Sequence, residues 1–213
     1  MTRPSPSRLA VLLLPTLALA ACGGTAATMA APPASAPAPS SARRANPADA
    51  EFVSGMIHHH AQAVVMARWA PTHGAGQAVR TLSQRIDISQ QDEIALMQTW
   101  LRDMGEPVPE PNPDGMTMSM GGMEHVMLMP GMLTEAQMAE LDRARGPEFD
   151  RLFVTYMIQH HQGAIAMVEK LFASHGATQD DFIYKFASDV FADQTSEIDR
   201  MQSMLAQMGA SGR

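Results

Sequence analysis

The sequence predicts an all-α fold, a four-helix bundle made of two duplicated helical hairpins. Two observations lead to this prediction: the chain repeats itself at a nearly constant offset, and apolar residues recur at helical spacing within both copies. No β-rich alternating run is evident, and aromatic residues make up only 5% of the chain. Because neither hairpin can bury its apolar stripe alone, the two copies are expected to pack against each other.

Residues 1–21 are predicted to be a signal peptide rather than part of the fold. Arg3 and Arg8 give a positive start, an apolar run follows, and Leu-Ala-Ala precedes Cys22. The apolar run is too short to span a bilayer. A cysteine in this position resembles the lipobox of bacterial lipoproteins, in which the cysteine becomes the lipidated first residue. The alternative is an ordinary signal peptide followed by a chance cysteine.

Residues 22–45 consist almost entirely of small residues and proline, which predicts a flexible tether. Lipidation of Cys22 would anchor this exported protein to a membrane, where it would face the periplasm or the cell surface. Cys22 is the only cysteine, so disulfides and thiolate metal sites are not expected. The net charge of −7 and the lack of a basic run argue against nucleic acid and anionic lipid as partners.

The duplicated domain is predicted to span residues 46–209. Phe52 corresponds to Phe153 at an offset of 101 residues, and Glu93 corresponds to Glu197 at an offset of 104. So small a drift across a whole copy indicates a true internal repeat. Each copy is then one structural unit that buries its apolar face against the other.

The first copy, residues 46–105, is predicted to form two helices. Asn46 and Pro47 supply an N-cap and a first-turn proline, Pro71 stops the first helix, and Gly105 ends the second. The first helix carries a stripe in which residues step by four and three positions. The members of this stripe are Phe52, Met56, His59, Ala63 and Met66.

The linker between the copies, residues 106–133, is rich in proline and glycine and is expected to be an irregular loop. Thr134 is predicted to cap a short helix within residues 134–146. The second copy, residues 147–209, begins with Pro147 in the first turn of its first helix.

Two histidines of each copy fall on or beside the predicted core-facing stripe. His59 lies about 20° from Phe52 around the helix, and His60 lies about 40° from Met56 on the flank of the stripe. A single core histidine is usually structural, which remains the alternative, but four histidines in a twofold pattern beside methionines favour a metal site. Imidazole and thioether suit Cu(I), with Ag(I) as its mimic, and imidazole alone also suits Zn(II) or Cu(II). The candidate ligands are Met56, His59, His60, Met66, Met157, His160, His161 and Met167.

Such a site is expected to weaken as the pH falls through the ordinary imidazole range near ~6.5, since a protonated ring cannot bind a metal. Glu93 and Glu197 occupy equivalent positions on the second helix of each copy. They allow two interpretations: they orient an imidazole through its second nitrogen, or they are plain surface residues.

A methionine-rich run occupies the middle of the chain, with seven methionines between residues 116 and 132. In an irregular loop these side chains would miss the roughly 1.5–3 kcal/mol that burial of a methionine contributes, so folding does not account for them. Thioethers remain competent ligands outside the cytoplasm, where thiolates oxidise. The run is therefore predicted to capture soft metal ions, and packing by its C-terminal members is the alternative. The candidate ligands here are Met116, Met118, Met120, Met123 and His125.

The two motifs that run from Met56 to Met66 and from Met157 to Met167 resemble the hallmark of the family known as domain of unknown function 305, Met-Ile-x-His-His-x-x-Ala-x-x-Met. The resemblance covers about residues 46–208. It implies a ferritin-like helical bundle and, through the copper-binding members of the CopM type, an exported protein of copper tolerance or homeostasis. That function would be to sequester or carry Cu(I), with a copper exporter or another copper carrier as partner. His58 departs from the repeat and is expected to face the surface without a role.

Two functions are alternatives to copper binding. A structural or partner-binding surface lipoprotein could use the methionine-rich run to dock a protein, because methionine surfaces are pliable. A ferritin-like di-iron oxidoreductase requires a Glu-x-x-His on each of two helices, and the chain contains no Glu-x-x-His. We therefore predict that the protein is not an enzyme.

Overall fold

The computed structural model describes residues 44–211; the predicted signal peptide, the predicted lipidation site Cys22 and most of the predicted tether lie outside this range. The described part is mostly helical, as predicted, with five α-helices and one two-stranded sheet. In chain order the elements are α1 (Pro47–Trp69), α2 (Gln77–Met104), β1 (Met116–Met120), β2 (Met123–Met127), α3 (Glu135–Arg143), α4 (Gly146–Ala173) and α5 (Asp181–Ser211). Within residues 44–211, no helix combines the length and the hydropathy that crossing a membrane requires.

The helix ends follow from local chemistry. The side chain of Asn46 accepts a hydrogen bond from the backbone N–H of Ala48 at 2.8 Å, which satisfies one free donor at the start of α1. Thr134 begins α3 with a capping box, in which Thr134 and Gln137 bond each other's backbone N–H groups. Gly105 ends α2 in the left-handed conformation, with φ at 72°.

The methionine-rich run is a β-hairpin, so the prediction of an irregular loop is wrong for residues 116–127, and the all-α prediction needs this one small sheet added. Met116 pairs with Met127, and Met120 pairs with Met123, in an antiparallel ladder. Gly121 and Gly122 both have positive φ, 62° and 82°, as a two-residue hairpin turn requires. The polar residues that alternate with methionine have the period of a strand, a signal that the helical analysis of the chain overlooked.

The two copies contact each other through reciprocal hydrogen bonds at the ends of α1 and α4. Near the start of α1, Asp49 accepts from the N–H of Thr178, just beyond α4, at 2.9 Å. Near the start of α4, Asp150 accepts from the N–H of Gly76, just beyond α1, with both oxygens at 3.0 Å. Each first helix therefore begins where the other ends, and the two run antiparallel.

The antiparallel arrangement divides the core into two apolar clusters. One cluster contains Met56 and Met167 and includes Phe52 and Val190. The other contains Met66 and Met157 and is centred on α4 aromatic residues. The first motif methionine of each copy therefore belongs to the same cluster as the last motif methionine of the other copy. The motif histidines, which lie between these methionines along each helix, are located between the two clusters.

Candidate metal centre

The structure brings the four motif histidines into one buried cluster. His59, His60, His160 and His161 each have 0% of their surface exposed. The rings of His59 and His160 lie against each other across α1 and α4, with centroids 3.8 Å apart and planes tilted by 39°. The neighbouring rings are 6.3 Å away on α1 and 6.4 Å away on α4. His60, expected on the flank of the stripe, is as buried as His59.

The two glutamates at equivalent positions of α2 and α5 each contact a histidine of this cluster. The Nε2 atom of His60 lies 2.5 Å from a carboxylate oxygen of Glu93 on α2. The Nε2 atom of His161 lies 2.8 Å from a carboxylate oxygen of Glu197 on α5. Because a carboxylate accepts, each Nε2 carries the proton and donates, which leaves the lone pair on Nδ1. Of the two interpretations of these glutamates, the one in which they orient a ring agrees with the structure.

Five ring nitrogens of the cluster are buried without any hydrogen-bond partner. They are Nδ1 of His59, His60, His160 and His161, together with Nε2 of His160. A buried polar atom left without a partner costs about 1–3 kcal/mol, so folded proteins rarely tolerate several in one place. A neutral imidazole carries a proton on one of its two nitrogens, so each of the four rings offers one free lone pair. Such nitrogens are metal ligands, and this donor set therefore fits a bound metal ion.

Burial keeps two of these rings neutral. Loss of solvent, reinforced by the neighbouring His60, lowers the pKa of His59 to about 3. Burial likewise lowers the pKa of His160 well below its ordinary value, and the charge that His59 would carry adds to the effect. Desolvation therefore moves the protonation of these two rings below the ordinary imidazole range near ~6.5. The expected weakening of metal binding in acid stays a prediction.

Imidazoles alone do not complete a site. Among residues 44–211, no group of three or more His, Cys, Asp or Glu side chains is placed to hold a metal ion. Zn(II) usually takes four ligands drawn from these residue types. Methionine was not among these residue types, and the motif methionines lie in the core clusters on either side of the histidines.

A turn between the hairpin and α3 closes over His59. The carbonyl of Pro130 accepts a hydrogen bond from Nε2 of His59 at 3.0 Å. The turn fits against α4 only because Gly163 has no side chain: a Cβ there would lie 1.9 Å from that same carbonyl oxygen. Met129 and Met132, on either side of the turn, are buried. These two methionines therefore pack in the core, as the packing alternative for the C-terminal part of the run proposed.

The hairpin presents its methionines on one face. Paired residues of an antiparallel ladder share a face, and alternate residues along a strand point the same way. The observed register places on one face Met116, Met118, Met123, His125 and Met127. Met123 and His125 are exposed.

A largely apolar groove of about 420 Å³ separates part of this face from α1 and α4. Five methionines from three segments line it, so the predicted loop ligands and the motif ligand of α4 belong to one surface. These methionines are Met116, Met118, Met127, Met129 and Met167. Met127 and Met129 were not predicted as ligands. The alternation of residues along the strand was the signal that would have placed Met127 on the same face as the predicted ligands.

His58 is buried, and its expected position on the surface is wrong. Its exposed fraction is 6%, and its Nδ1 accepts a hydrogen bond from the backbone N–H of Asn112 at 3.2 Å. Burial lowers the pKa of His58. His58 therefore anchors the proline-rich linker to α1.

The fold and the site define a mostly helical domain with four histidines buried between α1 and α4. The chain belongs to the DUF305 family, a domain of unknown function, because the model of that family matches residues 49–205. This match confirms the resemblance that the two motifs indicated. A comparison with curated proteins found no match.

Several solved structures are similar to this chain. One is a DUF305 protein from Streptomyces coelicolor that has been assigned as a secreted protein. It is 29% identical to this chain, and the match covers 76% of this chain and 94% of its own, with a TM-score of 0.64. A DUF305 fragment from Deinococcus radiodurans is 29% identical over 77% of this chain and 99% of its own, also at 0.64. CopM in its Cu(I)-bound form is 26% identical over 75% of this chain and 96% of its own, at 0.57. CopM structures bound to Cu(II) and to silver are also similar.

Proposed function

We propose that this protein is an exported copper-binding protein that sequesters or carries Cu(I) through histidine and methionine ligands. The observation that carries the proposal is the presence of five unpartnered ring nitrogens in one buried histidine cluster. Copper is the cargo in this proposal rather than a catalytic cofactor, and we propose no enzymatic activity. The role served would be copper tolerance or homeostasis.

The buried site would combine imidazoles of α1 and α4 with thioethers of the same helices. Cu(I) favours soft and intermediate donors such as thioether and imidazole over oxygen, so a mixed set selects it, together with Ag(I) as its redox-inert mimic. Zn(II) or Cu(II) would bind less tightly, because the imidazoles do not converge as three or more ligands. Glu93 and Glu197 would keep the rings of His60 and His161 in the orientation that frees Nδ1.

The methionine face of the hairpin would be the second copper-binding part, through Met116, Met118, Met120, Met123 and His125. Its position supports this role. The groove under the hairpin is lined by Pro130, whose carbonyl also contacts the buried His59. An ion held by hairpin thioethers would therefore lie next to the segment that covers the histidine cluster. The existence of Cu(I)-bound and silver-bound CopM structures of similar fold adds support.

We further propose that α1, α2, α4 and α5 constitute a four-helix, ferritin-like bundle, and that a lipid on Cys22 anchors the protein to a membrane. A relative assigned as secreted supports export. The tether would leave the domain free to exchange copper with an exporter or another copper carrier.

Competition against a coloured Cu(I) chelator near pH ~7.5 tests the proposal. The wild-type protein should withdraw Cu(I) from the chelator. Replacement of His59, His60, His160 and His161 by Ala should remove the buried part of this capacity, and replacement of Met116, Met118, Met120 and Met123 by Leu should remove only the hairpin part. A matched control is His175→Ala, because His175 is exposed and lies outside both sites. If the quadruple histidine variant binds Cu(I) like the wild type, the histidines are structural and the proposal for the buried site is wrong.

A further inference from the structure

A second internal site lies between α2 and α5, where a small cavity of about 40 Å³ is lined by polar residues of both copies. Gln90 and Glu93 contribute from α2, and Gln194 and Glu197 contribute from α5. Gln90 corresponds to Gln194 at the same repeat offset, 104 residues, that relates Glu93 to Glu197. The cavity is therefore a place where the duplication brings equivalent polar side chains together.

Two amide oxygens at this cavity have no partner. Gln90 and Gln194 are each only 3% exposed, and the Oε1 atom of each is buried without a hydrogen bond. A buried acceptor is unfavourable unless a donor or a cation meets it. The same unmet acceptor occurs in both copies, which indicates one shared ligand rather than two unrelated defects.

The cavity is negatively charged and offers oxygen donors. Glu93, Glu197 and Asp193 carry carboxylates, and Arg85 is the one cationic side chain among the lining residues, 3.4 Å from Glu197. Carboxylate and amide oxygens suit hard divalent cations rather than Cu(I). The volume exceeds the roughly 10–15 Å³ that a single water-sized probe occupies, so an ion and a water molecule fit.

We propose that this cavity binds a hard divalent cation of the calcium, magnesium or manganese class through the amide oxygens of Gln90 and Gln194 and the carboxylates of Glu93 and Glu197. The site is separate from the proposed copper ligands but shares a boundary with them. Glu93 and Glu197 accept hydrogen bonds from His60 and His161 on their other side. A cation in the cavity would therefore fix the two carboxylates that orient the buried imidazoles.

Titration of the full chain with Mn²⁺, followed by the loss of the free-ion EPR signal, tests this proposal without any copper measurement. The wild type should bind one Mn²⁺ and unfold at a higher temperature when it is bound. Substitution of a residue that only hydrogen-bonds a metal ligand already weakens metal binding by about 10–100-fold. The double variant Gln90→Leu/Gln194→Leu should therefore bind Mn²⁺ at least about tenfold more weakly. The control Gln91→Leu/Gln202→Leu, which changes exposed glutamines of the same two helices, should bind it like the wild type.

A variant that adds charge keeps the test decisive if the double leucine variant does not fold. Gln194→Glu replaces an amide oxygen by a carboxylate and should tighten Mn²⁺ binding. In the wild type, pulsed EPR of bound Mn²⁺ should show no coupling to imidazole nitrogen. A cavity that holds only water would leave Mn²⁺ binding unchanged in both variants and would overturn the proposal. Imidazole coupling would assign the ion to the histidine cluster and would also overturn it. Failure of Cu(I) binding in the competition experiment would leave these outcomes unaffected.

Discussion

Mildly acidic solution is expected to destabilise the metal-free protein through the two imidazoles that lie against each other. Burial lowers the pKa of His59 to about 3 and lowers the pKa of His160 well below its ordinary value. In the unfolded chain, both rings have the ordinary imidazole pKa of about 6.5. Between these values the unfolded state binds protons that the folded state does not, so the free energy of unfolding decreases as the pH falls. This contribution to stability is fully present above about 6.5 and is lost progressively toward about 3.

The magnitude follows from the linkage between protonation and folding. Each pH unit within the window is worth about 1.4 kcal/mol for each ring. Acidification from pH ~6.5 to ~5 should therefore reduce the free energy of unfolding by about 2 kcal/mol through His59, and His160 adds a decrease of the same sign. This is a large share of the roughly 5–15 kcal/mol that stabilises a typical domain.

Urea unfolding between pH ~7.5 and ~5 measures the effect when the wild type is compared with His59→Asn/His160→Asn. The variant keeps polar side chains that do not titrate, so its stability should fall less, by at least about 2 kcal/mol over the range. The control His175→Asn changes an exposed histidine and should keep the wild-type pH dependence. Asp49 and Asp150, whose pKa values are raised by burial, are present in all three proteins and cancel. Equal pH dependence in the wild type and the double variant would refute the reasoning that burial keeps these rings neutral.

Three further predictions address the fold and the anchor. Gly163→Ala should lower the free energy of unfolding by about 1–3 kcal/mol in urea titrations, because its methyl group would meet the carbonyl of Pro130; Gly209→Ala, with nothing within 4 Å, should not, and equal losses would argue against the tight approach. Gln62→Leu should cost about 2–4 kcal/mol by calorimetry, because it leaves three backbone groups of the linker without partners; a neutral result would contradict that network. Replacement of Cys22 by Ser should move the protein out of the membrane fraction, and a wild type that is already entirely soluble would rule out the lipid anchor.

The helical part of the fold could be predicted because its causes are local and repeated. The stripe from Phe52 to Met66 has helical period, and Asn46 and Thr134 carry the chemistry of N-caps. The hairpin was not predicted although its signals are also local: Thr117 and Ser119 alternate with methionine, and the turn residues Gly121 and Gly122 follow directly. Because the rest of the chain has helical periodicity, two strands of only five residues each were overlooked.

The sequence could predict which histidines form the cluster, but not their tertiary contacts or their pKa values. The twofold pattern placed His59 and His160 on equivalent helices, and the structure brings their rings together. The contact of Pro130 with His59 joins residues 71 positions apart, and no local pattern encodes such a contact. The depressed pKa of His59 has the same origin, because it depends on burial by elements far away in the sequence. Tertiary packing therefore decided the features that sequence reasoning left open or placed wrongly.

Copper K-edge X-ray absorption of the protein loaded with Cu(I) tests the central claim most directly, because it reports both the oxidation state and the ligand atoms. The account predicts a stable Cu(I) edge with scattering from imidazole nitrogen and from thioether sulfur together. The nitrogen contribution should disappear when His59, His60, His160 and His161 are replaced by Ala, while sulfur scattering from the hairpin persists. A protein that retains no copper after desalting, or one whose copper shows no imidazole nitrogen in the wild type, would contradict the account.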